Sequence, residues 1–346
     1  MTTATYQVNI INSEKQFNVN ADETVLDAAL RQGIMLAYGC KNGGCGTCKS
    51  KIHSGNYSTS DNLLNSCEKS QGLALLCCTT AQSNLKIEAK VLEGIGDINI
   101  KKMPCRISSM QKISDDIMLV KMQLPTNEKF AFMPGQYIDL LLKNNQRRSY
   151  SIAGNPLENS VELHIRHMKG GLFSDALFGV SENQPALKVR DILRFEGPLG
   201  TFFLREGDKP IILLASGTGF APIKSIINQM LATKNTRPAT LYWGGRRPKD
   251  IYAMQDCNDW IANLPNFKFV SVVSDALSED NWQGRTGFLH HAVMNDIPDM
   301  KNYEVYACGA PIMVESAKKD FTTKCNLPED NFFADAFLSQ SDLNKI

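Results

Sequence analysis

Residues 40–48 read C-K-N-G-G-C-G-T-C, and a fourth cysteine follows at Cys77 or Cys78 in the run Leu75-Leu76-Cys77-Cys78. Cys40, Cys45 and Cys48 stand at four-then-two spacing with interleaved glycines, which is what a plant-type 2Fe-2S cluster asks of its ligands. Glycine matters because the loop must wrap the cluster with its amides toward sulfide, in backbone conformations that a side chain would obstruct. A structural zinc site is the competing reading. Such a site pairs two short C-x2-C hooks or mixes in histidine, whereas this segment offers one C-x2-C preceded by a C-x4-C.

The flanks of this loop read as a small strand and helix unit. Tyr6 to Ile11 alternates as a strand, and Phe17 to Val19 supplies its hairpin partner. Val25, Leu26, Ala29 and Leu30 then share a helical face that Gly33 stops. After the loop, Asn84 to Val91 alternates as a closing strand. Residues 1–93 are therefore expected to form the first domain. The stretch after it, placed at 94–103, has glycines, mixed charge and no clear period and reads as a linker.

From 104 to 206 the texture is short β-rich runs at 105–110, 117–124, 136–142, 149–153, 161–167 and 192–195, separated by Gly, Pro and Asn turns. That pattern predicts a small antiparallel barrel. From 207 to 346 strand alternates with helix. P-I-I-L-L-A-S-G is a buried strand, and Ile223, Ile226, Ile227, Met230 and Leu231 recur at helical spacing behind it. T-L-Y-W-G-G, F-K-F-V-S-V-V-S-D and Y-E-V-Y-A-C-G-A-P add strands, which predicts an α/β nucleotide-binding layer on a parallel sheet.

Composition narrows the field. The chain has 346 residues, 43% hydrophobic and 21% charged, and a net charge of +1, so no bulk field draws it to nucleic acid or an anionic membrane. Its N-terminus lacks a basic segment followed by an apolar one, and no apolar run approaches the roughly 18 residues of a membrane span. Ten cysteines without a secretion signal point to metal binding and buried thiols, and to the cytoplasm. Cys67, Cys105, Cys257 and Cys325 read as ordinary thiols. His53, His164, His167, His290 and His291 show no ligand spacing and read as structural or solvent-facing.

Gly217-Thr218-Gly219-Phe220-Ala221-Pro222 lies between a buried strand and an amphipathic helix, where an α/β fold binds a pyrophosphate. Pro222 replaces the third glycine of the usual G-x-G-x-x-G pattern, which the first helical turn tolerates. Arg148-Ser149-Tyr150-Ser151 falls on an expected strand. There Arg148 could pair with a phosphate and Tyr150 offers a face to a flat ring. Gly170-Gly171-Leu172-Phe173-Ser174 precedes a helical run whose first amides are available.

These motifs, with Glu196 to Phe202 (E-G-P-L-G-T-F) and Cys308 to Pro311 (C-G-A-P), occur in this order behind the cysteine module. Together they resemble the ferredoxin-NADP reductase superfamily. More narrowly the chain is similar to the reductases of bacterial oxygenases, of the phenol hydroxylase and benzoate dioxygenase kind, and to the CDP-6-deoxy-glucoseen reductase branch. The resemblance implies a β-grasp ferredoxin domain, a β-barrel FAD domain and an NAD(P)-binding α/β domain. Plant-type ferredoxins place their fourth ligand in a Leu-x-Cys segment, which implies Cys77 beside Cys40, Cys45 and Cys48 and leaves Cys78 as a buried thiol.

The same resemblance implies that Tyr150 stacks on the flavin and that Ser151 hydrogen-bonds near its N5. Arg148, with Gly170, Gly171 and Ser174, would hold the FAD pyrophosphate, and Arg166 would lie near it. Gly217, Thr218, Gly219 and Pro222 would bind NAD(P)H, with Cys308 and Gly309 bordering the nicotinamide and Phe337 reaching toward the flavin. A nicotinamide donates two electrons as hydride, a 2Fe-2S centre accepts one, and a flavin handles both, so the expected activity converts pairs into single electrons for a separate protein acceptor. That acceptor is expected to be a CDP-6-deoxyhexose dehydrase, with an oxygenase component as alternative. NADH is expected over NADPH although Arg246 and Arg247 could grip a 2′-phosphate. A redox-sensing regulatory module is the reading from another class, and a complete hydride-transfer site counts against it.

Overall fold

The computed structural model describes residues 4–61, 63–92, 98–182 and 184–337. The chain divides into two compact units that part between Asn99 and Ile100. The barrel and the α/β layer, expected as separate domains, share the second unit. Of the expected linker, 94–97 lie outside the described residues, and Lys101 to Met103 belong instead to the first barrel strand. The alternation there, with Met103 and Cys105 buried and Lys102 and Pro104 outward, continues the strand pattern further toward the N-terminus than the reading allowed.

In the first unit β1 (Thr5–Ile10) and β2 (Gln16–Asn20) form the expected antiparallel hairpin. Helix α1 (Val25–Arg31) follows, its first turn capped by Thr24 Oγ1, which accepts from Asp27 N at 3.1 Å. Then come β3 (Lys49–Ser54), β4 (Tyr57–Thr59), α2 (Ser66–Ser70), β5 (Leu73–Leu75), β6 (Thr79–Ala81) and β7 (Leu85–Glu88). The main sheet runs β2-β1-β7-β3-β5, with β1 and β7 parallel, and β4 pairs with β6 apart from it. Val8, Ile10, Val25, Leu26, Leu75 and Ile87 fill the core. This is a β-grasp sheet, and the cysteine loop hangs between α1 and β3.

The second unit opens with β8 (Lys101–Lys112), β9 (Ile117–Gln123), β10 (Tyr137–Leu141), β11 (Arg147–Ser151) and β12 (Ser160–Arg166). Helix α3 (Leu172–Phe178) and β13 (Ile192–Leu199) complete this half. The six strands pair antiparallel in the order β11-β10-β13-β8-β9-β12, and a bridge between Ile152 and Leu163 closes the ring. Inward residues Ile107, Val120, Ile138, Leu163, Ile165 and Phe195 fill it.

The remainder is β14 (Ile211–Ser216), α4 (Phe220–Ala232), β15 (Ala239–Gly245), α5 (Met254–Asn263), β16 (Phe267–Val273) and β17 (Arg285–Thr286). It ends with α6 (Leu289–Asp296), β18 (Glu304–Gly309), α7 (Pro311–Lys324) and β19 (Phe332–Ala336). The sheet is parallel throughout, in the order β17-β16-β15-β14-β18-β19. Ile223, Ile226, Ile227 and Met230 bury the inner face of α4 as the spacing predicts, whereas Leu231 is exposed at the helix end.

Candidate functional site

The cysteine loop brings its sulfurs together in two pairs. Cys48 Sγ lies 3.3 Å from Cys77 Sγ, and the Cys40 side chain bonds to Cys45, whose sulfur also accepts from Cys40 N at 3.3 Å. Asn42 N points at Cys40 Sγ at 3.5 Å. The bond to Cys45 and burial together push the Cys40 thiol well up, while the same bond draws Cys45 down to about 5. Thiols this crowded cannot all ionise unless a cation sits among them. Two pairs of cysteines match the two irons of a 2Fe-2S centre, so the donor set fits that group. Cys78 is also close. Its sulfur is 3.6 Å from that of Cys77 and occupies the space beside Gly43, whose φ of 81° puts it in the left-handed region.

In the barrel, Arg147 pairs with Glu196 at 2.6 Å, whereas Arg148 bonds to the Arg147 carbonyl and to Gln146 Oε1 and has no carboxylate partner among the described residues. A cation left so, next to a half-buried Tyr150 whose ring lies 5.7 Å from that of Phe173, suits the phosphate and flat ring of FAD. The Gly170-Gly171 turn leads into α3 as expected. The buried Ser174 hydroxyl accepts from Met168 N at 3.1 Å and donates to Met168 O at 2.9 Å and so braces the turn. Arg166 pairs with Asp250 at 3.1 Å and Asp116 at 3.3 Å and lies against Gly217, beside the dinucleotide loop.

The parallel sheet has its switch point between β14 and β18, since the chain leaves β14 toward β15 on one side and later returns to β18 on the other. Ligands of open α/β sheets bind in the crevice at such a point. Gly217-Thr218-Gly219 forms a tight turn after β14, and Cys308-Gly309 ends β18 beside it. A side chain at Gly219 would run into the Cys308 carbonyl, and one at Gly309, with φ of 133°, would meet Ser216 O at 2.6 Å. Glycine is thus required on both lips of the crevice. Trp243 stacks on Phe220 at 3.8 Å and donates from Nε1 to Gly217 O at 3.1 Å, which pins the turn. Pro222 is buried in the first turn of α4, and Ser225 of that helix donates to the Gly154 carbonyl of the barrel at 2.7 Å.

Barrel and sheet meet where the chemistry is expected. Ser151 Oγ donates toward Asp335 Oδ2 at 3.5 Å, and both residues are buried. Cys308 is fully buried, and burial, reinforced by Asp335, pushes its thiol well up, so it stays protonated. Asp335 belongs to β19, which pairs with β18 so that Asp335 faces Cys308 in register. In that stretch the family resemblance points to Phe337 and not to Asp335. The signal was an acid inside an apolar strand. Phe337 packs on the sheet's core, its N–H donating to Gly309 O at 2.8 Å. A buried polar chain lies nearby: His164 contacts Tyr252 Oη at 2.9 Å and Glu162 Oε1 at 3.2 Å, and Lys224 bridges Glu162 at 3.1 Å and Asp256 at 2.9 Å.

Comparison with known proteins agrees with this geometry. Residues 8–82 match the 2Fe-2S iron-sulfur cluster binding domain, 104–204 the oxidoreductase FAD-binding domain and 213–319 the oxidoreductase NAD-binding domain. The chain is 40% identical over 324 residues to a CDP-6-deoxy-L-threo-D-glycero-4-hexulose-3-dehydrase reductase of Yersinia pestis, covering 93% of this chain and 95% of that one. It is 32% identical over 337 residues to reductase component 1 of terephthalate 1,2-dioxygenase from Comamonas sp, covering 96% and 97%. Among solved structures it matches the Amycolatopsis cytochrome P450 reductase GcoB with a TM-score of 0.78 and 27% identity, covering 96% of this chain and 98% of that one.

Proposed function

Given that the chain belongs to the ferredoxin-NADP reductase superfamily, as an NAD(P)H-dependent reductase with FAD and 2Fe-2S domains that passes electrons to a partner enzyme, we propose that this partner is a CDP-6-deoxyhexose dehydrase. The observation that carries this choice is the greater identity, over nearly the whole length, to the relative named for that reductase than to the relative named for an oxygenase. We place the reaction in the cytoplasm, a reading supported by ten free cysteines in a chain of this size. Among the described residues no helix is long and apolar enough to cross a membrane.

When bound, FAD accepts hydride from the nicotinamide and supplies single electrons to the 2Fe-2S centre. The chain's part is to position and to insulate. Cys40, Cys45, Cys48 and Cys77 hold the cluster. Arg148 neutralises the FAD pyrophosphate, with the Gly170-Gly171 turn beside it, and Tyr150 covers the ring. The amides of Gly217, Thr218 and Gly219 and the start of α4 receive the dinucleotide phosphates. Cys308 and Gly309 wall the nicotinamide, and Ser151 and Asp335 hold a proton beside the place of transfer. No general acid or base is needed in the hydride step itself.

NADH is the better-fitting donor. Arg247 is paired with Asp280 at 2.9 Å, and Asp275 and Glu279 stand near the two arginines, a poor setting for the dianionic 2′-phosphate of NADPH. The test is reconstitution of the holoprotein with NADH and a purified CDP-6-deoxyhexose dehydrase and its substrate. A parallel assay uses a terephthalate dioxygenase oxygenase, and cytochrome c serves as a neutral acceptor. Turnover by the dehydrase, lower with NADPH, is expected. An idle dehydrase beside brisk cytochrome c reduction would sink the choice of partner, and oxygenase turnover would replace it. Failure to reduce cytochrome c at all would favour a sensing role.

A further inference from the structure

The sequence places His290 and His291 side by side with no ligand spacing, but the fold brings a third donor to them. Helices α6 and α7 pack together, and this sets Asp320 of α7 opposite the start of α6, with Asp320 Oδ2 3.6 Å from His290 Nε2. The His290 and His291 rings are 4.2 Å apart between centroids, tilted by 56°. One donor atom from each of the three residues lies within 4.8 Å of the others. We propose that His290, His291 and Asp320 form a binding site for a borderline-soft dication, Zn2+ or Ni2+, that clips α6 to α7.

The donor set decides the class of metal. Two imidazole nitrogens and one carboxylate oxygen suit zinc, nickel or copper and not the oxygen-seeking calcium or magnesium. Side-chain rotations of about 1 Å would close the donors to the roughly 3.3 Å spacing that a tetrahedral ion with bonds of about 2.0 Å demands. His290 and Asp320 are largely buried, with side chains 12% and 13% exposed, whereas His291 is exposed and lines an open pocket with Arg285, Phe288 and Asn295. The ion thus has preset ligands on one side and an entry path on the other. Phe288 lies nearly parallel to the His290 ring at 6.1 Å and meets His291 edge-on at 5.7 Å, limiting both rotamers.

Asp320 Oδ1 also receives Lys324 Nζ at 2.8 Å. Lys324 fixes the carboxylate's direction, as outer partners of metal ligands do, but its charge opposes the ion. The site therefore predicts opposite effects for two exposed substitutions. Since α7 begins at Pro311, directly after the Cys308-Gly309 lip of the crevice, an ion there steadies the helix that carries one wall of the dinucleotide site.

The test is calorimetric titration of Zn2+ into the holoprotein, cluster and flavin in place so that the cluster cysteines are engaged. Wild type is expected to take up one equivalent that His291→Ala weakens by about tenfold or more, and that Lys324→Gln tightens severalfold. Added Zn2+ should raise the melting temperature of wild type and not of His291→Ala, while NADH-dependent ferricyanide reduction without zinc stays equal in both and certifies the fold. Absence of uptake by wild type would overturn the proposal. So would uptake by the His290→Gln/His291→Gln double variant with unchanged stoichiometry and affinity, because the zinc would then sit elsewhere.

Discussion

Cys77 and Cys78 are chemically identical neighbours, and position alone separates them. Cys77 is buried with its sulfur against that of Cys48, which makes it the second member of a pair, whereas Cys78 is half-exposed and reaches toward Gly43. Cys77→Ser should lower iron and sulfide content by about tenfold or more, since even supporting contacts of a metal site are worth 10- to 100-fold. Cys78→Ser should leave the content and visible spectrum intact. Equal losses in both variants, or a loss confined to Cys78→Ser, would reassign the ligand. A second residue-level prediction concerns Ser151 and Asp335. The hydroxyl and the carboxylate face each other at the join of barrel and sheet, so Ser151→Ala and Asp335→Asn should keep FAD content while slowing flavin reduction by NADH by about tenfold to 100-fold in stopped flow, the cost of misplacing reacting groups. Reduction at the wild-type rate in both would show that the pair only closes the seam.

At the scale of elements, the join between β12 and α4 is a polar chain in a dry place. Burial keeps His164 below its ordinary pKa, so the neutral ring accepts from Tyr252 Oη at Nδ1 and donates from Nε2 to Glu162. Burial alone would raise Glu162, but the bond to His164 and the charge of Lys224 hold it down to about 2, against an ordinary 4.5. A carboxylate depressed on folding stabilises the fold above its unfolded value and loses that contribution as pH falls through its folded value. Stability in urea should therefore fall from pH 4.5 toward 2 more steeply in wild type than in Glu162→Gln, and parallel slopes would show that Glu162 does not drive the loss. The chain's elements were legible where they were long or strongly patterned. The face of α4 and the strand at Ile211–Ser216 follow from apolar spacing, and the cysteine loop from local chemistry. The three-residue strands β4, β5 and β6 and helix α2 carry too little pattern to read. Contacts between distant residues had no local trace at all. Ser151 meets Asp335 across 184 positions, and Arg166 turns toward Asp250 because the β12 end abuts the sheet, which no spacing in H-I-R-H encodes.

The whole molecule separates where pairs of electrons become single ones. The 2Fe-2S domain lies in a unit with its own core, built on Val8, Leu26, Leu75 and Ile87, and the FAD-binding and NAD-binding domains lie in the unit that begins at Ile100. Units with separate cores tolerate damage separately. A Cys40→Ser/Cys45→Ser variant removes one of the two sulfur pairs and should therefore lose the iron-sulfur absorbance. It should keep its FAD, bleach the flavin band near about 450 nm with NADH as fast as wild type, and reduce ferricyanide, which can draw electrons directly from the flavin. Cytochrome c and the partner enzyme, which the proposed relay supplies through the cluster, should receive electrons at least about tenfold more slowly. The discriminating outcome is flavin reduction itself. If it collapses with the cluster, the two units are coupled in hydride transfer and the division at Asn99 is no functional boundary. If cytochrome c reduction survives undiminished, electrons leave from the flavin, and the cysteine loop serves something other than the main path.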